Sequence, residues 1–215
     1  MYRKKKQYLV IGLGRFGSAV ATTLHAEGME VFAVYRNMER VEAHRSRLTD
    51  VVRADAMDRS VLEQIGARNF DVAIVTIGED IKASGTITML LKEMGVKCVI
   101  VKAFDEFHGR MLTKLGADKV IFPERDMGQR IAHNLVSEKI LDFIELSPDY
   151  SLMEVRPNPE WVGHTLGELN LRGRYQTNVV AVRSGEMVNA MPDQNTRIGA
   201  EDVMLVVKPA ESGKG

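Results

Sequence analysis

Apolar positions along the first part of the chain group into short runs, separated by longer segments with helical spacing. The runs predict six strands, at residues 8–11, 30–34, 51–52, 71–76, 97–101 and 119–122. The segments between them predict five helices, at residues 16–26, 37–48, 58–65, 81–94 and 106–115. Strands that alternate with helices in this way form a parallel sheet with helices on both faces. The pattern therefore predicts an α/β fold with a parallel six-stranded sheet.

Pro123 interrupts this alternation, and a longer helix is predicted at residues 126–143. One apolar stripe is predicted along it and just beyond, made of Ile131, Leu135, Ile140 and Ile144. A stripe of this kind needs cover, either from the chain's own second domain or from a neighbouring chain. We favour a crossover into a second subunit, because the strand set is complete without this helix.

The pattern changes at residues 147–149, and the strand-like pieces that follow are short. Strands are predicted at residues 151–156, 178–184, 186–190 and 202–208. Gly185 turns the middle two as a hairpin. A small helix is predicted at residues 165–169, where Thr165 and Glu168 resemble a capping box. We therefore divide the chain into a domain that includes the long helix (1–143), a linker (144–150), a small α+β domain (151–209) and a disordered tail (210–215).

The first predicted strand leads directly into the motif Gly12-x-Gly14-x-x-Gly17, and a helix pattern follows it. In this context the first glycine permits a tight turn, and the second lets the backbone approach a pyrophosphate. The third lets the helix pack close to the strand. The start of the helix offers free N–H groups and the positive end of its dipole to an anion. Strand, glycine turn and helix together predict a Rossmann-like nucleotide-binding domain.

One part of the usual dinucleotide pattern is missing. An acidic residue at the end of strand two normally accepts hydrogen bonds from the ribose hydroxyls, but here Tyr35 stands in that place, followed by Arg36 and Asn37. The tyrosine can pack on a sugar or base but supplies no carboxylate. Arg36 either meets a 2′-phosphate, which would favour NADP over NAD, or is solvated. Asn37 either caps the next helix or reaches a ribose.

Further candidates follow the ends of the other strands, where ligands of open α/β sheets bind. Asp55 is either a contact for an adenine edge or a turn or cap residue. The backbone at residues 77–78 can lie against the ligand, and Lys102 is either a phosphate partner or a surface lysine. Arg15, within the glycine loop, suits a terminal phosphate. Glu124 suits a divalent cation bound to that phosphate.

Charge and composition narrow the classes of function. The 29 Lys and Arg residues are balanced by 29 Asp and Glu residues, which argues against a general nucleic-acid binder. A single cysteine, Cys98, suits a reducing compartment. No stretch approaches the ~18 consecutive apolar residues of a membrane span. We therefore expect a soluble, cytoplasmic protein.

Candidates for catalysis are few. Hydride transfer needs a proton donor or acceptor beside the substrate. The five histidines are scattered and lie mostly in helical stretches: His25, His44, His108, His133 and His164. We expect them to be surface or packed residues, and the sequence contains no Cys/His pair or metal-ligand spacing.

Several segments resemble the RCK (regulator of potassium conductance) domain proteins: IGLGRFG, VAIVTIGEDIKAS, VKAFDEFHGRMLTKLGADKVIFPERDMGQRIA and NVVAV. These proteins are the cytoplasmic regulatory subunits of Ktr/Trk-type potassium uptake systems, and the resemblance runs from the first strand to Lys208. It implies a Rossmann-like N-terminal domain, a crossover helix and a small C-terminal domain. It also implies homodimers that assemble into an octameric ring beneath a membrane-embedded potassium transporter subunit, at the inner face of the cell membrane.

The resemblance implies regulation without turnover, in which ATP and ADP compete for the Rossmann pocket and NAD(H) binds in some relatives. The implied nucleotide site consists of Gly12, Gly14, Arg15, Phe16, Gly17, Tyr35, Arg36, Asn37, Asp55, Ala56, Ile77, Gly78 and Lys102. Glu124 corresponds to a ligand for Mg²⁺ or Ca²⁺ near the dimer interface. Tyr35 replaces the family's ribose-binding aspartate, which leaves the affinity for nucleotide and the choice of nucleotide open. In some members the C-terminal domains bind cyclic di-AMP, and the matching segments contain Arg172, Asn178 and Pro192.

The leading hypothesis is a nucleotide-binding gating subunit of a potassium transporter, which is not an enzyme. The alternative is an NADP-dependent oxidoreductase, which the glycine motif and Arg36 support. The lack of a proton donor and the small second domain count against it. A third reading is a self-assembling scaffold whose pocket has decayed, which Tyr35 keeps open.

Overall fold

The computed structural model describes residues 5–78, 80–136, 140–147 and 149–209. The chain forms two compact units, the first ending at Glu124 and the second beginning at Arg125. The strands of the first unit are β1 (Gln7–Ile11), β2 (Glu30–Tyr35), β3 (Asp50–Arg53), β4 (Val72–Val75), β5 (Val99–Lys102) and β6 (Lys119–Ile121). They form one parallel sheet in the order β3-β2-β1-β4-β5-β6. The predicted Rossmann-like six-stranded sheet is confirmed.

The helices between these strands are α1 (Arg15–Ala26), α2 (Met38–His44), α3 (Arg59–Gln64), α4 (Ile81–Glu93) and α5 (Glu106–Lys114), and a short 3₁₀ turn (Ala67–Asn69) precedes β4. Four of them begin with a side chain that accepts a backbone N–H of the first turn: Asn37, Asp58, Asp80 and Asp105. Such caps satisfy donors that a helix start leaves without a partner. The capping residues lie in the loops at the carboxyl edge of the sheet, where the predicted site lies.

The sheet is buried on both faces, as continuous apolar strands require. Successive side chains of a strand point to opposite faces. In β1, Leu9 and Ile11 accordingly pack into one apolar core, while Val10, between them, packs into the core of the other face. All three are fully buried or nearly so. The first strand therefore ends at the centre of the unit, between two packed layers.

The second unit is an antiparallel sheet of five strands, β7 (Ile140–Ser147), β8 (Tyr150–Val155), β9 (Asn178–Ser184), β10 (Met187–Asn189) and β11 (Val203–Pro209). Their order is β10-β9-β11-β8-β7. Two short helices, α7 (Leu166–Leu169) and α8 (Leu171–Tyr175), and a 3₁₀ turn (Pro159–Trp161) lie between β8 and β9. The predicted capping box of Thr165 and Glu168 is present, and Gly185 occupies the left-handed region (φ 60°) between β9 and β10.

The long helix predicted at 126–143 is wrong at both ends. Helix α6 is Pro123–Val136, because a proline is tolerated in the first helical turn, where its missing N–H has no partner to lose. The segment that includes Ile144 forms strand β7 and pairs with β8. The four-residue spacing of the apolar side chains is compatible with a helix, but pairing with β8 favours a strand. The predicted linker 144–150 therefore overlaps the strands β7 and β8, which pair with each other. The side chain of Ile140 and the predicted disordered tail lie outside the described residues.

Three apolar side chains of α6 are half exposed or more in the single chain: Met127, Ile131 and Leu135. They follow one another at intervals of four residues and so share one face of the helix. Helix α8 was missed by the sequence reading, because the five-residue segment contains a glycine and has no long apolar period. Asn170 precedes it with φ 42°, a conformation that asparagine tolerates better than most residues.

Within the four described ranges, no helix is both long and apolar enough to span a membrane.

We expect Asp118 to stabilise the first unit in a pH-dependent way. Its carboxylate accepts bonds from Lys92 Nζ (2.8 and 3.0 Å) and from the N–H of Val99 (2.7 Å), and these partners hold its pKa below the usual value. Because the folded-state pKa is the lower one, the stabilisation is complete above the unfolded-state pKa and is lost as the pH falls below about 4. Asp118→Asn should lower the free energy of unfolding at pH 7 by about 0.5–1 kcal/mol, a modest effect because the pair is partly exposed.

Urea unfolding of wild type and Asp118→Asn between pH 3 and pH 7 measures this difference. Glu63→Gln, which removes one carboxylate from an exposed pair with Arg59 on α3, is the matched control and should change little. A difference between wild type and Asp118→Asn that is as large at pH 3 as at pH 7 would contradict the assignment.

Candidate nucleotide-binding site

A cavity of about 280 Å³ opens at the carboxyl edge of the parallel sheet. After β1 the chain continues to β2 on one side of the sheet, and after β4 it continues to β5 on the other side. The carboxyl ends of β1 and β4 therefore form the topological switch point, at which α/β sheets bind ligands. The lining comes from the ends of β1, β2 and β3, from the loop after β4 and from the start of α4. It consists of Ile11, Gly12, Val34, Tyr35, Arg36, Asn37, Ala54, Asp55, Ala56, Ile77, Asp80, Ala83 and Ile87.

Seven of the residues predicted from the sequence line this cavity: Gly12, Tyr35, Arg36, Asn37, Asp55, Ala56 and Ile77. The other lining residues were missed, and most of them are small or apolar. Ala83 and Ile87 are buried one helical turn apart on α4, so their spacing was the available signal. An apolar wall of this kind suits the face of a flat ring, because the transfer of apolar surface out of water is favourable.

The glycine turn is closely packed at its first and third glycines. Gly12 has φ +107°, and a Cβ there would lie 2.6 Å from Oγ1 of Thr76. A Cβ on Gly17 would lie 2.1 Å from the carbonyl oxygen of Gly12. Neither position accommodates a side chain, so the fold itself requires these two glycines.

Gly14 differs, because no heavy atom lies within 4 Å of the position that its Cβ would occupy. Its backbone is extended (φ −69°) at the N-cap of α1, where no side chain caps the helix. Packing therefore gives no reason for a glycine here. The open space lies over the first turn of α1, whose N–H groups are suited to an anion.

Thr76 fixes the turn from the neighbouring strand and was not predicted. Its hydroxyl lies 2.9 Å from the carbonyl oxygen of Gly12 and 3.2 Å from that of Ile11, and can donate to either. On the opposite side the N–H of Gly12 donates to the carbonyl of Val34 at 3.0 Å. The turn is thus held between β2 and β4.

Arg36 and Asp55 form an ion pair at the rim of the cavity. Nη2 of Arg36 donates to both carboxylate oxygens of Asp55, at 2.7 and 2.9 Å. Asp55 also accepts the N–H of Met57 at 2.9 Å, and this bond together with Arg36 lowers its pKa. Asp55 is thus a turn residue and a lining residue at once, and the two readings of the sequence are compatible.

The remaining residues at the end of β2 have structural partners. Asn37 caps α2, its Oδ1 accepting the N–H of Arg40 at 3.0 Å. Tyr35 is partly buried and packs against one face of the sheet. Neither supplies a carboxylate to a ribose.

Three charged residues outside the cavity lining interact with one another: Arg15, Lys102 and Glu124. Nζ of Lys102 donates to Oε1 of Glu124, and Lys102 is much the more buried partner, with 15% of its side chain exposed against 68% for Glu124. The aliphatic part of the Lys102 side chain lies beside Gly78: a Cβ on Gly78 would lie 3.1 Å from Cε of Lys102. Lys102 and, more weakly, Arg15 hold the pKa of Glu124 below its usual value. The group carries one net positive charge.

Glu124 is the residue that the sequence suggested for a divalent cation. Among the described residues no group of three or more His, Cys, Asp and Glu side chains could hold a metal ion. Glu124 alone fits a hard cation only if phosphate oxygens and water supply the other ligands, which is the usual habit of Mg²⁺.

Two histidines of the first unit are packed residues away from the cavity. His108 is fully buried on α5, its Nε2 lies 2.8 Å from Oγ of Ser84 on α4, and burial lowers its pKa. His44 is buried, and its Nδ1 lies 2.8 Å from the carbonyl of Arg40. Neither histidine is among the lining residues. The side chain of His133 lies outside the described residues.

The residues suggested for cyclic di-AMP lie in the second unit. Arg172 is exposed on α8, Asn178 is exposed at the start of β9, and Pro192 follows β10. They take no part in the cavity of the first unit.

Comparison with known proteins places both units. Residues 8–123 match the TrkA-N domain, and residues 151–212 match the TrkA-C domain. The Ktr system potassium uptake protein C of Bacillus subtilis (strain 168) is 43% identical over 203 residues, which are 94% of this chain and 92% of that protein.

Two solved structures share the fold at low sequence identity. A structure described as "GsuK channel bound to NAD" matches with a TM-score of 0.67 and 16% identity, covering 97% of this chain and 38% of that one. A Kef C-terminal domain of Shewanella denitrificans "in AMP bound form" matches with a TM-score of 0.52 and 19% identity, covering 61% of this chain and 81% of that one.

The glycine contacts lead to a prediction about stability. Gly17→Ala should lower the free energy of unfolding by about 2 kcal/mol or more, because its methyl group meets a backbone oxygen that cannot move aside. Gly14→Ala should cost less than about 1 kcal/mol, because its methyl group meets only open space. Chemical unfolding of the two variants beside wild type measures both values. Equal losses would show that the turn is not packed as described.

Proposed function

The chain belongs to the TrkA-N/TrkA-C (RCK) family, and on this basis we propose that it regulates a Ktr/Trk-type potassium transporter in response to a bound adenine nucleotide. Its relatives are Ktr and Trk potassium uptake proteins. The observation that carries the proposal is the cavity at the switch point of the sheet, which adjoins a glycine turn open above Gly14.

The site divides into two parts that suit the two ends of a nucleotide. The cavity offers apolar walls to a base, while the start of α1 offers N–H groups and a positive dipole to phosphates. Arg15 and Lys102 add two cations on the phosphate side. The two fold neighbours were solved with NAD and with AMP, whose shared part is an adenosine 5′-phosphate. We therefore expect ATP or ADP, or NAD(H), in this pocket.

The site can distinguish nucleotides by the number of their phosphate groups. Lys102 is held by Glu124, and a phosphate group close to Lys102 competes for its charge. Glu124, once released, can share Mg²⁺ or Ca²⁺ with the phosphate oxygens. A third phosphate reaches farther toward Arg15 than a second one does, so ATP and ADP differ in the contacts that they make.

Regulation then follows as a shift between two conformations. A ligand moves such an equilibrium only as far as its affinities for the two states differ. We propose that ATP and ADP favour different shapes of an assembly of this chain, and that a membrane-embedded potassium transporter subunit responds to that shape at the inner face of the membrane. No bond of the nucleotide needs to break.

An assembly is supported by the exposed face of α6, formed by Met127, Ile131 and Leu135. A face of three large apolar side chains is suited to cover by another chain. We propose a homodimer through this face and an octameric ring built from such dimers. Cyclic di-AMP, at Arg172, Asn178 and Pro192, is proposed as a second ligand of the paired C-terminal units.

Thermal unfolding with a panel of ligands tests the proposal. The panel contains ATP, ADP, NADH, NADPH and cyclic di-AMP, each with and without Mg²⁺. A ligand at 100 times its Kd should stabilise the folded chain by about 2.7 kcal/mol, and we expect ATP and ADP to do so. Gly14→Ala should lose this stabilisation while its unliganded melting temperature stays close to that of wild type. Stabilisation by NADPH alone would favour the oxidoreductase instead.

Regulation has a separate readout in cells. In a bacterium deficient in potassium uptake, in which the wild-type chain restores growth on limiting potassium, Gly14→Ala should fail to restore it. Equal growth with both proteins, when only wild type binds nucleotide, would show that uptake does not depend on the nucleotide.

We expect Arg15→Ala to reduce the preference for ATP over ADP by roughly tenfold, because one cation near the terminal phosphate is lost. Isothermal calorimetry measures the two dissociation constants. Arg45→Ala, which removes an exposed arginine paired with Glu42 on α2, is the charge-matched control and should keep the preference. An unchanged preference in Arg15→Ala would remove Arg15 from this role.

A further inference from the structure

The ion pair at the end of β2 distinguishes this pocket from the ordinary dinucleotide site. In such sites an acidic residue at this place binds the ribose 2′-hydroxyl, and an arginine nearby accommodates a 2′-phosphate. This chain has Tyr35 in the acidic position, so by itself Arg36 would favour a 2′-phosphate. Arg36 is not available alone, however, because its guanidinium donates hydrogen bonds to both carboxylate oxygens of Asp55.

The charged residues that line the cavity disfavour the binding of a 2′-phosphate on the ribose. The charged lining residues are Arg36, Asp55 and Asp80, which together carry one net negative charge. Asp80 caps α4, accepting the N–H of Ala83 at 2.8 Å, so its carboxylate is fixed there. A further cation, Arg53, donates to the backbone carbonyl of Arg36 at 3.2 Å but is not among the lining residues.

Because a nucleotide is assigned to this pocket only by the proposed function, the following step rests on it. We infer that Asp55 sets the nucleotide specificity: it holds the Arg36 guanidinium and its own charge repels a 2′-phosphate, so the pocket takes adenine nucleotides with a free 2′-hydroxyl. The ligand class is thus ATP, ADP, AMP or NAD(H), and NADP(H) is excluded by charge.

The same geometry says how to reverse the preference. Asp55→Asn removes the negative charge but keeps the side-chain oxygen that accepts the N–H of Met57, at 2.9 Å in the wild type. Arg36 is then free to pair with a 2′-phosphate dianion, to which a guanidinium binds with two parallel hydrogen bonds. A single neutral replacement should therefore convert a repelling site into an attracting one.

The experiment compares two ligands that differ only in the 2′-phosphate, NADH and NADPH, by calorimetry with the full chain. Wild type should bind NADH at least about tenfold more tightly than NADPH, and Asp55→Asn should shift the ratio toward NADPH by about tenfold or more. Adding Arg36→Gln to Asp55→Asn should abolish that shift. Glu42→Gln, which removes one carboxylate from an exposed pair with Arg45, should leave the wild-type ratio unchanged.

The outcomes separate this inference from the proposed function. Binding of NADH and NADPH with equal affinity by wild type, or an unchanged ratio in Asp55→Asn, would overturn the role of Asp55 while nucleotide binding stood. If wild type binds none of the four ligands NADH, NADPH, ATP and ADP, the proposed function and this inference are both overturned. A shift that survives Arg36→Gln would show that another cation, such as Arg53, receives the 2′-phosphate, and would overturn the assignment to Arg36.

Discussion

The close approach of α1 to the end of β1 is the constraint on which the site depends. The carbonyl oxygen of Gly12 lies where a side chain on Gly17 would begin, and the hydroxyl of Thr76 lies within hydrogen-bonding distance of the same carbonyl from β4. With the turn fixed from both sides, the start of α1 is held close to the end of β1. Packing alone thus shapes a surface that is suited to a phosphate.

Around that turn the two halves of the site carry opposite net charge. Arg15 and Lys102 outweigh Glu124 on the phosphate side, while Asp55 and Asp80 outweigh Arg36 in the cavity lining. A nucleotide with its charge at the 5′ end and a neutral base and ribose matches this division. The two halves also differ in their ion pairs. In the proposed account a phosphate competes with Glu124 for Lys102, whereas the Arg36–Asp55 pair stays intact when a ligand with a free 2′-hydroxyl binds.

The parallel sheet, its helices and the glycine turn were predictable from the sequence, because hydrophobic period and turn chemistry determine them locally. The capping box of Thr165 and Glu168, in the second unit, was predictable for the same reason. The segment around Ile144 was not, since its apolar residues fit a helix or a strand, and only pairing with β8 decides between them. Local pattern carries no information about a partner strand.

The site shows the same limit. Its glycines and the residues after each strand could be named from spacing, whereas Thr76 could not, because it acts through a contact between distant segments. The pairing of Arg36 with Asp55 joins the ends of β2 and β3, and sequence alone offered each residue two readings. The fold makes those readings dependent on each other.

Amide hydrogen exchange of the full chain with and without ADP tests the central claim most directly. We predict slower exchange at the first turn of α1 (residues 15–17) and at the loop after β3 (residues 54–57), with little change at the far edge of the sheet. Unchanged exchange at both segments at a saturating ADP concentration, or protection confined to the second unit, would contradict a nucleotide held over the glycine turn.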